Sequence, residues 1–358
     1  MNEEGSLRGA RRPRVLCFGE ALVDRLFPPG VDPEASAASA GARAGTAAGT
    51  PAVEDHLGGA PANVACALAR LGTPVAFLGR LGEDAIGASF RALFAERGVE
   101  TSALQWDRDR PSRVVLVRRD ASGERSFGGF AGDRGQGFAD QAVDAAALAG
   151  PIAPLLEGAA WLLVGTIPLA SPASAEALEE AVGRAAGAGV ALAVDVNWRP
   201  TFWDPAAAPE AGPTAEQIAR IRPLLEQAAL IKCAAEEARW LFQSLDPQTI
   251  RAALPRRPAV LITDGADPLR WSLGEHSGTL PAFRVPVVDT TGAGDAFTAG
   301  LLHGLCRAPA LPGGGTGDLV RFASACGALV CQGAGAIAPQ PTAQQVETFL
   351  SERGLALP

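Results

Sequence analysis

Between residues 161 and 263, short apolar runs alternate with longer helix-compatible segments, and no other feature of the chain narrows its fold as much. The runs Trp161 to Val164, Ala191 to Val196, Leu230 to Lys232 and Val260 to Thr263 are apolar almost throughout. A strand of that kind is covered on both faces, as in a parallel sheet between helix layers. The segments 173–188, 215–227 and 235–242 read as the covering helices, so the spacing predicts repeated βα units. The same rhythm starts earlier. Val15 to Gly19 reads as a buried strand, Gly58 to Asn63 opens a small-residue-rich helix to about Leu71, Val75 to Leu78 is a strand, and a helix follows to about Arg97. Two hairpin-like regions interrupt it, 15–58 and 112–130; in the second, Ser112 to Arg119 and Arg125 to Phe130 flank a turn. These predict a small β lid over the carboxyl ends of the parallel strands, where ligands bind in such sheets.

The expected organisation is one α/β domain over residues 14–358, with lid segments at about 20–58 and 110–130. Residues 1–13 read as a flexible tail. Residues 28–50, rich in Ala, Gly, Ser and Pro without periodicity, read as a flexible insertion.

Composition removes several function classes. A net charge of −8 and a pI of about 5.1 argue against a nucleic-acid partner. No apolar run is long enough to span a bilayer, and no signal-type stretch follows the basic N-terminal residues, so no membrane partner and a cytoplasmic location are expected. Six scattered cysteines form no Cys-x-x-Cys pair and read as buried free thiols, and the three histidines lack metal-ligand spacing.

Chemistry concentrates at Asp289-Thr290-Thr291-Gly292-Ala293-Gly294-Asp295-Ala296-Phe297. A strand-like run, Phe283 to Val288, precedes it, and an apolar helix-compatible run, Ala296 to Leu305, follows. A glycine turn between strand and helix presents backbone N–H groups and the positive end of the helix dipole to an anion. Asp295, beside it, is placed to accept a proton from a hydroxyl that attacks a phosphoryl group. A dinucleotide fingerprint would need a third glycine where Phe297 stands, and a P-loop string occurs nowhere. Taken alone, the motif also fits a tight turn with an N-capping aspartate.

Gly58-Gly59-Ala60-Pro61-Ala62-Asn63-Val64-Ala65 and the Asp289 to Phe297 stretch together resemble the two signatures of ribokinase-like (pfkB-type) carbohydrate kinases, in their order and separation. The resemblance runs from about Val15 to Pro341, and the first signature is similar to its fructokinase form. It implies a central, mostly parallel sheet flanked by helices with a small β-sheet lid. The implied activity is transfer of the γ-phosphoryl of ATP to a primary hydroxyl of a sugar, with D-fructose as the expected acceptor.

The resemblance also implies roles. Asp295 matches the catalytic base, and Gly292, Ala293 and Gly294 match the anion hole. Asp24, Gly58, Gly59 and Asn63 match sugar-binding positions, and Arg113, Arg125 and Phe127 on the lid hairpin are candidates to face the sugar. Asn197 and Arg199 of Asp195-Val196-Asn197-Trp198-Arg199 would face the phosphate path. Lys232, the single lysine, precedes Ala234 and Glu237, and Glu237 matches the residue that orders Mg²⁺ through water. Ala234 departs from the usual Asn or Ser. Thr263 and Gly265 match a nucleotide-binding turn, and Ser324 stands beside the expected base site. Asp289 with the carbonyl of Thr291 matches a monovalent-cation site, with K⁺ as the expected ion.

The competing readings are other sugar kinases of the same kind (for 2-keto-3-deoxygluconate, aminoimidazole riboside or ribose) and a catalytically silent binding protein. The retained Asp295, Gly292 and Gly294 speak against the last. A lid sheet with unpaired edges favours pairing between two copies, so a homodimer through the lid is the assembly to test.

Overall fold

Strand β1 (Val15–Phe18) is buried on both sides, and it pairs in parallel with β4 (Val75–Gly82) and β8 (Trp161–Val164). The protein is described by a computed structural model covering residues 14–28, 31, 53–119, 125–132, 137–307 and 315–355. The expected tail and, apart from Pro28 and Val31, the expected insertion lie outside these residues. Parallel pairing continues through β9 (Ala191–Asp195), β10 (Leu230–Ala234) and β11 (Ala259–Asp264), and on the other side from β4 to β5 (Leu104–Asp107). Successive side chains leave opposite faces of each strand. Val15, Cys17, Phe77 and Leu230 therefore join one core, under the helices Ala60–Leu71, Ala85–Arg97, Ala293–Arg307 and Gly315–Val330. Leu16, Phe18, Leu78 and Ile231 join the other, under Ala145–Leu156, Pro172–Gly187 and Ala215–Gln227. Two apolar faces per strand explain why these strands read as uninterrupted apolar runs.

A third hairpin breaks the βα rhythm where two were expected. β12 (Asp267–Leu273) and β13 (His276–Leu280) add to β11 antiparallel at the sheet edge, through turns at Gly265 (φ +57°) and Gly274 (φ +59°). The strand expected over Phe283 to Val288 does not form. Pro281 precedes it and Pro286 removes a backbone donor within it, and Val287 and Val288 are left exposed, so neither ladder nor burial supports pairing.

The small sheet follows the order β3 (Glu54–Gly58), β2 (Leu22–Phe27), β6 (Arg113–Arg119), β7 (Arg125–Phe130), with β2 and β6 parallel. One face carries Leu22, Val115 and Phe130, packed with Phe138; the other carries Val23, Phe27, Val114 and Leu116. Asp84 links this sheet to the main one. Its carboxylate caps the helix Ala85–Arg97 by accepting from the N–H of Gly87 at 2.8 Å, and it accepts from the N–H and hydroxyl of Ser112 at 2.7 and 2.9 Å. The Ser112 hydroxyl in turn accepts from the N–H of Gly82, at the end of β4.

All six cysteines are free thiols, four of them buried. Among the described residues no helix is long and apolar enough to cross a membrane.

Replacing Asp84 by Ala removes the cap and leaves the Ser112 N–H unpartnered, which is expected to destabilise the fold by about 2–3 kcal/mol. Urea unfolding measures the loss, and hydrogen exchange should locate the first opening in β6.

Candidate active site

The glycine turn is rigid because its neighbours leave no room for side chains. Asp289 closes it from one side: its Oδ1 accepts from the N–H and hydroxyl of Thr291 at 3.0 and 2.7 Å, and its Oδ2 accepts from the N–H of Gly335 at 2.7 Å. Gly292 has φ +78°, and a Cβ on it would lie 2.6 Å from the Cβ of Ala336, so conformation and space both require glycine there. The helix Ala293–Arg307 starts immediately after. The Ala293 N–H turns back to the carbonyl of Thr290, whereas those of Gly294 and Asp295 lie in the first turn, where a helix supplies no acceptor. A Cβ on Gly294 would lie 2.8 Å from the Lys232 ammonium. The bare backbone therefore admits a cation directly beneath the turn.

That cation is buried and paired. Lys232 Nζ donates to Asp195 Oδ1 at 3.1 Å, and the hydroxyl of Thr298 donates to Asp195 Oδ2 at 2.8 Å. β9, β10 and the Ala293–Arg307 helix are thereby fastened through one carboxylate. Burial works to lower the Lys232 pKa, but Asp195, Glu237 and Asp295 together raise it, so the ammonium stays charged.

Asp295 is half-buried on the first turn of its helix. Its Oδ2 accepts from the side-chain amide of Asn63 at 2.8 Å, across 232 positions of sequence. Burial pushes its carboxyl up to about 6, and the Asp195 charge adds to this; Asn63, Lys232 and Arg199 pull it down. Asn63 itself is set by its backbone. Gly59 has φ +97° and lies against the Glu20 carbonyl, the Ala60 N–H donates to Glu20 Oε1 at 3.0 Å, and the amide of Gln340 donates to the Asn63 carbonyl at 2.9 Å.

Asp24 sits on β2 with its carboxylate close to Gly58, where an added Cβ would lie 3.1 Å from Oδ2. Strand register sets Asp24 beside His56 and Val115 and aligns Arg113 with Leu22 and Phe127 with Val117. Asp24, Arg113 and Phe127 thus share one face of the small sheet. Arg113 is fully buried against Asp140, and Phe127 packs against Phe130; the side chain of Arg125 lies outside the described residues.

On the opposite side, Asn197 adopts φ +43°, a conformation that asparagine tolerates. The buried Glu237 holds the strand ends there: its two oxygens accept from the N–H groups of Trp198 and Ala234, each at 2.7 Å. It supplies at the helix start the cap that Ala234 cannot. Burial raises the Glu237 pKa, with Lys232 opposing. Arg199 is exposed, near enough for its charge to act on Asp295. Thr263, one residue before the end of β11, pairs with Ala234, and Gly265 forms the turn into β12. Ser324 lies one turn before Gly327, where an added Cβ would lie 2.9 Å from the Ala293 carbonyl oxygen.

The structure brings together two groups: Asp24, Gly58, Gly59, Asn63 and Asp295, then Lys232 with Gly292, Ala293 and Gly294. Sequence reasoning missed Glu20, Thr298, Gln340 and Asp140, and it assigned no role to Asp195. Only Glu20 carried a signal, a carboxylate directly after a buried strand and four residues before Asp24. Among the described residues no three His, Cys, Asp or Glu side chains could jointly hold a metal ion.

The pattern described as pfkB family carbohydrate kinase matches residues 14–343. The probable chloroplastic fructokinase-6 of Arabidopsis thaliana is 32% identical over 356 residues, covering 98% of this chain and 85% of that protein. The aminoimidazole riboside kinase of Salmonella typhimurium is 35% identical over 301 residues, covering 84% and 89%. Among solved structures, fructokinase with bound ATP from Xylella fastidiosa superposes with a TM-score of 0.76 at 29% identity, covering 95% of this chain and 98% of that one.

With Asp295 at about 6, kcat/KM is expected to fall as pH drops through that value, because only the ionised carboxylate accepts a proton. Asn63→Ala removes a hydrogen bond that favours the ionised form, so the acid limb should move to higher pH. A pH–rate profile of both proteins checks the sign.

Proposed function

The chain belongs to the pfkB family of carbohydrate kinases, and from that premise we propose that it transfers the γ-phosphoryl of ATP to the primary hydroxyl of D-fructose, giving fructose 6-phosphate. It is a phosphotransferase with an alcohol group as acceptor; the sugar, its reacting hydroxyl, the donor and the roles of the residues are the proposed part. The observation that carries the reading is the Asn63–Asp295 contact at 2.8 Å beside the glycine turn. It joins a polar side chain on the sugar side to a base within reach of an anion cradle.

In this reading Asp24 and Asn63 bind the sugar hydroxyls, with Gly58 and Gly59 admitting the ring close to the backbone. Asp295 takes the proton of the attacking hydroxyl. The N–H groups of Gly294 and Asp295 meet the charge on the transferring oxygens, with Ala293 and Gly292 shaping the turn. Lys232 supports that potential from below, and Arg199 and Asn197 line the phosphate side. Thr263, Gly265 and Ser324 flank the nucleotide. Glu237 keeps lone pairs free on both oxygens, which suits acceptance from the water shell of Mg²⁺ more than direct ligation. When bound with ATP, that ion would neutralise phosphate charge. Asp289 and the Thr291 carbonyl are the candidate site for K⁺.

Fructose is favoured by the Gly-Gly-Ala-Pro-Ala-Asn form of the first signature and by the fructokinase relatives. Aminoimidazole riboside is the second reading, favoured by the 35% identity to a kinase named for it. A coupled assay of ADP release with fructose, ribose, aminoimidazole riboside and 2-keto-3-deoxygluconate separates them. Turnover of another sugar with none of fructose would overturn the choice. Asp295→Asn should lower kcat by at least about 10²-fold while the protein stays folded, and full retained activity would refute the assignment of the base. A homodimer through the edges of the small sheet belongs to the same reading, and sedimentation showing only monomer would remove it.

A further inference from the structure

Beside the candidate sugar site lies a small pocket that the proposed chemistry leaves unused, with room for one water-sized group and with Glu20, Arg113, Asp140, Ile167 and Phe202 among its walls. Arg113 is only 2% exposed, and its Nε donates to Asp140 Oδ2 at 2.8 Å. Its guanidinium carbon lies 4.6 to 5.0 Å from the ring centres of Phe202, Phe138 and Phe130. The arrangement is nonetheless incomplete. Among the described residues Arg113 Nη1 has no acceptor, Asp140 Oδ1 no partner and Glu20 Oε2 none, and all three atoms are buried. A buried polar group left unpaired costs about 1–3 kcal/mol. Three of them on the walls of one pocket point to a guest that completes them.

The pocket adjoins the candidate site through Glu20. The other oxygen of Glu20 accepts the Ala60 N–H, at the start of the helix that carries Asn63 to Asp295. Arg113 aligns with Leu22, two residues before Asp24 and on the same face of the small sheet.

The walls also specify the guest. Arg113 and Asp140 neutralise one another, so the pair offers a donor and an acceptor without net charge. Burial first, then the charges of Asp140 and Asp295, push the Glu20 carboxyl up to about 8, so it is largely protonated and neutral at pH 7. Hydroxyls both donate and accept, which matches this set. A carboxylate would bring an uncompensated charge into a buried space.

We propose that Glu20, Arg113 and Asp140 form a specificity subsite that receives one hydroxyl of an uncharged sugar and selects against sugar acids. The proposal rests on the sugar-kinase reading above and deepens it.

The test uses the full chain with D-fructose, its monodeoxy analogues at positions other than the phosphorylated carbon, and 2-keto-3-deoxygluconate. For the wild type, at least one deoxy analogue should show a KM raised about tenfold or more with kcat retained, as expected for loss of a hydrogen bond to buried polar partners. Single replacements in the ion pair strand a buried charge and threaten the fold, so the variant of choice is R113M/D140L, which removes both charges. Folded by circular dichroism, it should lose that discrimination and narrow the preference for the neutral sugar. Glu20→Gln, which retains a neutral hydrogen-bonding group, should preserve the wild-type KM, whereas Glu20→Ala should raise it. Equal KM for fructose and every deoxy analogue, or a folded double variant with unchanged selectivity, would overturn the proposal and leave the pocket to ordered water. If no sugar releases ADP, the kinase reading falls on its own. Calorimetric binding of D-fructose then still decides the subsite: weakening in the double variant supports it, and equal binding refutes it.

Discussion

The Lys232–Asp195 pair, with Thr298 on the second carboxylate oxygen, is the interaction on which the active end of this molecule depends. It joins two neighbouring strands to the helix that begins at the glycine turn, so the position of Asp295 is inherited from the sheet. Burying such a pair yields little net stability, because desolvation offsets most of the attraction, whereas removing one partner is strongly destabilising. Its value here lies in position. In a chain whose other basic residues are all arginine, the exception stands where Gly294 leaves space for a compact ammonium. A planar guanidinium needs a wider, forked site.

The same network tunes Asp295, the proposed base. Asp195 raises the Asp295 pKa, and Lys232 and Arg199 lower it, so the carboxyl stands between opposed charges around a first push from burial. Asn63 adds a hydrogen bond from the sugar side, and its own placement depends on Glu20 and Gln340. Two glycine-rich segments far apart in the chain are therefore coupled through one carboxylate, and backbone glycines make the coupling possible at both ends.

Much of this was legible in the sequence. The βα rhythm specified the parallel sheet because its strands are apolar on both faces, and the two glycine signatures stand where the fold brings Asn63 to Asp295, with Gly59 and Gly292 in backbone conformations that favour glycine. The β12–β13 hairpin escaped notice because its strands are short and partly polar at an exposed edge. The strand expected at 283–288 failed on the two prolines that bound and interrupt it. Asp195, Thr298 and Gln340 were silent for another reason. Each acts through contacts more than a hundred residues away, or, for Asp195, also through a neighbouring strand, and no local pattern distinguishes a buried anchor from a solvated polar residue. Glu237 shows the converse. Its motif pointed to a metal, yet both of its oxygens hold backbone N–H groups, so it orders the strand ends whatever else it does.

A division of labour follows from where these contacts lie. The proposed chemistry rests on the main sheet, on backbone N–H groups, glycines and a charge network that a different sugar would leave untouched. The proposed recognition rests on the small sheet, which carries Asp24, Arg113 and Phe127 on one face and joins the rest of the molecule through Asp84 and Ser112, the Arg113–Asp140 pair and the strand connections. Side chains on that face can change without disturbing Asp295, because none of them fastens the catalytic helix. An ion pair buried among three phenylalanines is an expensive way to fill a core that leucines could fill. Its place on the same face as Asp24, with polar atoms still unpaired, fits the proposed subsite better than a surface shaped for stability alone.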